Sequence, residues 1–335
     1  MKKNLRNILV LSLGLMTTVA SAQDWNVDSR TRIDMSGDND KMTTDQRVTL
    51  GTTWGGSDWG IHISSDLNYM LGVSPSPHMD IFEAYATTDL MGYATVTMGR
   101  QAINNGSGAL MSSNDWSANR TTWDGMTFDL GLDMADISLG YASYNGGDAE
   151  EESQGNMWVN AAGEFSGWDV NVLYMTNTAS DNAATGIDIS GEVMGAGISA
   201  SMNSDYNENT MRVLGVSYAV NDDMSVNVGQ TVYSEDGAFS MAGTNLSGGW
   251  ANGNMGYLGA GDEMLSYGLT YNMAGISMGA NMNAVTSLDE STRDVMEVSL
   301  GYSLGDNAAL ALKYATDATG DVESKYTWLT LTVRP

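Results

Sequence analysis

From about Trp25 to Val333 the chain alternates apolar and polar positions in segments of roughly ten residues. Trp25, Val27, Thr31, Ile33 and Met35 fall on one face, and Asn26, Asp28, Arg30, Arg32 and Asp34 on the other. A period of two with one face polar throughout is a strand between an apolar and a wet surface. The pattern recurs at Trp59-Ile61-Ile63-Leu67 against His62-Ser64-Asp66-Asn68, at Leu214-Val216-Tyr218-Val220, and at Met296-Val298-Leu300-Tyr302.

The breaks alternate in length as well. Short ones fall at 55–57, 89–92, 134–136, 165–167, 194–197, 221–223, 273–275 and 304–306. Longer ones lie near 36–41, 70–78, 100–121, 146–156, 178–184, 203–209, 235–262, 286–292 and 317–321. They divide the chain into 18 strands, or 16 if a hairpin in the glycine-rich stretch 157–200 is loop. Tight turns at one end and long loops at the other predict an all-β fold: a transmembrane, up-and-down antiparallel β-barrel. Three short breaks read alike, at Met134-Ala135, Met194-Gly195 and Met273-Ala274-Gly275, each followed by Ile-Ser, which predicts a recurring tight hairpin.

Residues 1–22 read as a cleaved export signal. Lys2, Lys3 and Arg6 precede the apolar run Ile8–Met16, and Ala20-Ser21-Ala22 suits a signal peptidase. The run is too short for a membrane helix, and 23–335 reads as one barrel domain in the outer membrane of a Gram-negative bacterium. The chain has no cysteine, and a closed barrel needs no disulfide because its hydrogen-bond ladder has no free edge.

Without the leader, 11 basic residues face 41 acidic ones. That excess excludes nucleic acid as a partner and leaves two readings, a cation-preferring pore or a solvated acidic loop surface. The basic residues Arg30, Arg32, Lys41, Arg47, Arg100 and Arg120 precede residue 121, and none follows until Arg212. Consecutive strands are neighbours in such a barrel, so these residues form a basic sector. Arg30, Arg32 and Arg47 lie on polar faces and are expected to line the lumen. Asp115, Asp124, Asp188 and Glu192 are expected to supply the opposite charge, or Asp28, Asp34, Asp45 and Glu83 to pair with the arginines in the wall.

The acidic run Asp148–Glu152 and the turn Ser36–Asp40 read as solvated loops, and no metal spacing or cofactor signature is present. His62, Ser64 and Asp66 share one strand face, but residues two apart stand about 7 Å from each other, too far for a nucleophile and its base. The residues point to a non-enzyme.

One stretch carries a resemblance. Phe82-Glu83-Ala84-Tyr85, Gly99-Arg100-Gln101, Asn114-Asp115-Trp116, Arg120 and Trp123-Asp124-Gly125 follow in an order that resembles the alginate-export and phosphate-porin type of outer-membrane barrel. The resemblance implies a channel whose loop after Gly99-Arg100-Gln101, at 101–120, folds into the lumen, with Arg100 and Arg120 holding or flanking it. The expected function is passive diffusion of small hydrophilic solutes across the outer-membrane lipid, by a monomer or homotrimer. The alternatives are a channel selective for an anionic oligosaccharide or other anion, and a plugged structural or adhesive barrel.

Overall fold

A computed structural model describes residues 23–36, 42–72, 77–115, 120–144, 154–241 and 256–334. The predicted leader, Lys41, Trp116, the run Asp148–Glu152, Trp250 and most of the turn Ser36–Asp40 lie outside these residues.

Eighteen strands follow one another. They are β1 (Gln23–Asp34), β2 (Thr43–Gly55), β3 (Trp59–Met70), β4 (His78–Leu90), β5 (Ala94–Gln101) and β6 (Trp123–Gly131). Next come β7 (Asp136–Tyr144), β8 (Gln154–Phe165), β9 (Trp168–Asn177), β10 (Ala183–Val193), β11 (Ala196–Ser204) and β12 (Thr210–Asn221). The last six are β13 (Met224–Tyr233), β14 (Glu263–Met273), β15 (Ile276–Thr286), β16 (Thr292–Gly305), β17 (Ala308–Thr319) and β18 (Val322–Val333). Each pairs antiparallel with the next, and β1 pairs with both β2 and β18, so the sheet closes into a barrel with no edge. The stretch 157–200 holds full-length strands, which settles 18 against 16.

The eight short breaks are the tight turns. At Met194-Gly195 and again at Ala274-Gly275 both residues have positive φ, the signature of the two-residue hairpin whose twist matches that of the strands. One expected long break is a correction: β17 and β18 are joined by Gly320-Asp321 alone, because Thr319 already pairs with Val322 and glycine takes the left-handed position at φ +57°.

Outward side chains are apolar around the ring, among them Leu50, Ile61, Ile63, Val172, Leu214, Val216, Leu269 and Leu300, all well exposed. Soluble proteins rarely leave so continuous an apolar belt in water. Trp25, Trp59, Tyr93, Phe165, Tyr218 and Tyr302 are exposed near the tight-turn end, where an aromatic girdle meets a membrane interface. Among the described residues no helix is long and apolar enough to cross a membrane.

Candidate functional site: a loop bridging opposite walls of the lumen

The period of two turns Arg30 and Arg32 of β1 inward together, and the register sets Arg30 opposite Arg47 of β2. Three guanidinium groups so close repel one another and need a counter-charge. Asp115, from the loop between β5 and β6, supplies it. Arg30 Nη1 donates to the Asp115 carbonyl oxygen at 2.8 Å, and Arg47 Nη1 donates to the same oxygen at 3.1 Å. Arg47 Nη2 and Arg120 Nη1 donate to its carboxylate at 3.1 and 3.3 Å. Partial burial pushes the Asp115 carboxyl up, but Arg47, Arg120 and Arg30 together outweigh that and hold it below the ordinary carboxylate value.

Arg120 is anchored from below. Its Nε and Nη2 donate to Asp66 of β3, and Nη2 also donates to the Thr49 hydroxyl, which donates in turn to Asp66 at 2.6 Å. Its guanidinium carbon stands 3.2 Å from the Phe82 ring centroid. Phe82 reaches that position through a bulge: Ser64 pairs with Glu83 and Ser65 with Ile81, so Phe82 is the extra residue and turns into the lumen.

The other part of the loop meets the far wall. Ser107 N–H donates to Asp188 Oδ2 of β10 at 3.0 Å, and the Ser107 and Ser201 hydroxyls stand 3.5 Å apart. Gly106 makes this approach possible. Its φ is +54°, and a Cβ there would lie 2.0 Å from the Asp188 carboxylate. In an 18-membered ring β1 and β10 are diametrically opposed, so the loop bridges the lumen from one wall to the other. The bridge has its own hydrogen bonds, Asn105 N–H to the Met111 carbonyl and Thr121 N–H to the Ser113 carbonyl.

Between these ends Ala109, Leu110 and Met111 are buried against Trp158, Leu173, Met175, Met211 and Tyr233, all inside the barrel. Phe239 and Leu258, from the segment between β13 and β14, join the same apolar cluster, and Arg293 of β16 holds that segment through the Tyr257 carbonyl at 3.1 Å. Below the bridge the wall changes character. On β11, β12, β15 and β16 glycine faces serine across the ladder, at Gly197–Ser217, Ser199–Gly215, Ser277–Gly301 and Gly279–Ser299. These side chains reach only a short way into the lumen.

No family model matches this sequence, and no curated protein matches it. Solved structures do. The Pseudomonas aeruginosa outer membrane protein OpdK aligns with a TM-score of 0.75 at 12% identity, covering 95% of this chain and 100% of that one. OpdK with vanillate gives 0.76 at 12%, over 95% and 99%. Acinetobacter baumannii OccAB2 gives 0.72 at 12%, over 93% and 98%. The likeness is one of fold.

The predicted site residues divide. Arg30, Arg32, Arg47, Arg120 and Asp115 form one cluster. Arg100 and Asp124 form a separate pair at the loop end of β5 and β6, with two bonds of 2.7 Å. The motif residues are cross-strand partners there, Gly99 with Gly125 and Arg100 with Asp124. Asp115 and Asp124 therefore do not supply the wall facing the arginines, as expected from sequence; they neutralise basic residues on their own side. Asp188 does face them, and Glu192 is four residues along on the same inward face of β10. Glu83 caps the start of the loop by accepting from Ala102 N–H at 3.1 Å. His62 bonds Thr53 and stacks on Tyr85, and Asp66 is taken by Arg120, so Ser64, His62 and Asp66 do not assemble as a catalytic set.

The roles of Asp66, Thr49, Phe82 and Ser107 were not foreseen. A period-two reading cannot detect a bulge. The inward packing of the loop has one sequence signal, the consecutive apolar Ala109-Leu110-Met111 in a loop whose other large apolar residues, Ile103 and Trp116, stand singly.

Proposed function

We propose that the chain is an outer-membrane channel through which small hydrophilic solutes diffuse passively, working as a monomer or homotrimer, with the bridge between β5 and β6 as its constriction. The observation that carries this reading is the loop held at both ends, Asp115 on Arg30, Arg47 and Arg120, and Ser107 on Asp188. Among the described residues a cavity remains beside the bridge, and the short side chains of the glycine–serine wall below it leave room for solutes. The apolar belt and the likeness in fold to outer-membrane channels support placement in the outer membrane.

A second reading is a channel selective for an anion, which the motif from Glu83 to Gly125 favours through its resemblance to the alginate-export and phosphate-porin type. Its structural support is the inward arginine group, where Asp115 already occupies the position a solute carboxylate would take.

Purified protein inserted in a planar bilayer tests both. Steady ohmic conductance with a cation-selective reversal potential supports the first reading. Anion selectivity, or block by vanillate relieved in Arg30→Ala, supports the second. A silent bilayer overturns both in favour of a plugged barrel.

A further inference from the structure

A cavity of about 830 Å³ lies beside the bridge, against β7 to β14. Its polar side is made by four carboxylates, Asp136 on β7, Glu164 on β8, Asp169 on β9 and Asp188 on β10. The register sets Glu164 directly opposite Asp169, a like-charge pair that a cation would relieve. Asp188 accepts from two neutral donors, the Ser107 N–H and the Ser201 hydroxyl, and neither offsets its charge. Among the described residues no basic side chain lines the cavity. The basic wall lies across the lumen, and its counter-charge is supplied by Asp115.

The other side of the cavity is apolar, with Met211, Val213, Tyr233, Leu258 and Met264. Between the two sides Asn171 lines the cavity with a buried amide nitrogen that has no hydrogen-bond acceptor. An inorganic cation would gain nothing from the apolar wall, and a neutral apolar solute would gain nothing from the carboxylates.

We propose that this cavity is a binding station for organic cations, amines that carry an apolar or aromatic body and present a hydrogen-bond acceptor to Asn171. The inference rests on the channel reading above and names a solute class for it. The ammonium group lies among Glu164, Asp169 and Asp188, and the body lies against Val213 and Tyr233. Such a solute crosses on the side of the lumen away from the arginines, with a step of preferential occupancy on the way.

Single-channel recording in KCl tests the proposal, with phenethylammonium as the probe and phenylacetate and tetramethylammonium as its controls. The expected result is reversible interruption of the current by phenethylammonium, with much weaker effects from tetramethylammonium, which lacks the body, and from phenylacetate, which has the opposite charge. Among the described residues neither Glu164 nor Asp169 bonds the loop, and the double variant Glu164→Gln, Asp169→Asn is expected to weaken the block by roughly tenfold. Val213→Ser keeps every carboxylate and weakens phenethylammonium block without changing that of tetramethylammonium. KCl conductance that phenethylammonium leaves untouched, or that phenylacetate blocks equally well, overturns this inference and leaves the channel standing. A bilayer with no KCl conductance overturns both.

Discussion

The carboxylate of Asp115 lies 3.1 Å from the Arg47 guanidinium, although 68 residues separate the two along the chain. One belongs to a loop, the other to the inner wall near the start of the barrel. Arg47 is almost fully buried at 3% exposure, whereas Asp115 remains 57% exposed. The contact is a latch: a buried cation in the wall and a half-exposed anion on the loop, with Arg120 bonded to both Asp115 and the wall carboxylate Asp66.

Opening that latch is the first prediction. Asp115→Ala removes the carboxylate that Arg47 and Arg120 share, and the loop end keeps only the bonds that Arg30 and Arg47 make to its backbone carbonyl. Because the side chain is more than half exposed, the pairing contributes only about 1 kcal/mol or less per bond. Barrel stability therefore changes little, while mean conductance and open-channel noise both rise. A planar-bilayer trace indistinguishable from wild type would show that this end of the loop does not limit the current.

Acid opens the same latch. The Asp115 carboxyl is held below the ordinary value of about 3.9. A depressed value means that the docking free energy is fully present above about pH 3.9 and is lost as pH falls through the lower, docked value. Conductance noise is expected to be flat between neutral pH and about pH 4 and to rise below it. In Asp115→Asn the low-pH step disappears; a step of unchanged size in that variant would assign it to another group.

Arg120 calls for a different experiment. It is 9% exposed and bonds Asp66, itself 5% exposed. Arg120→Ala leaves a buried carboxylate with no cation and is expected to cost about 3–5 kcal/mol. The readout is the temperature at which the folded barrel loses its anomalous gel mobility. Asp66→Asn in the Arg120→Ala background should recover most of the loss, since the stranded charge is then gone.

Gly106 tests the far anchor. Any side chain there accepts a left-handed backbone at about 1–2 kcal/mol and then collides with Asp188. Gly106→Ala should release Ser107 from β10 and raise conductance. Gly72→Ala is its control, for Gly72 has φ +75° but nothing within 4 Å of an added Cβ. Equal behaviour of the two variants would mean that strain alone, and not the lost anchor, is responsible.

Leu110 is 2% exposed at the centre of the lumenal apolar cluster. Leu110→Ala should cost about 2–5 kcal/mol of loop docking and make the segment between β5 and β6 a new site of limited proteolysis. Cleavage no faster than in the wild type would show that the bridge is held by its ends alone.

The barrel was legible because its two signals are local. Alternation such as Ile61-His62-Ile63-Ser64 reports a strand with one wet face, and break length reports which end of the barrel a turn occupies. The turn at Gly320-Asp321 reads as a longer loop because Asp317 and Thr319 are polar and run into Gly320-Asp321, yet Asp317, Ala318 and Thr319 pair with β16 and β18. At the site, Arg30, Arg32 and Arg47 could be placed inward by counting, and they are inward. Their partner could not be chosen that way. Period two says which face a residue occupies, not how a loop folds back over it, so Asp115 and Asp124 looked equivalent as opposing acids while one crosses to β2 and the other pairs with its neighbour on β5.

The bridge from β1 to β10 also acts on the shape of the barrel. A hoop of strands is stiff along its hydrogen bonds and soft toward flattening into an ellipse. A chord fixed at two opposite points of the hoop resists that flattening. The same few bonds at Asp115 and Ser107 that hold the bridge thus brace the hoop, and a change that frees either end of the chord is expected to yield a lumen less constant in cross-section.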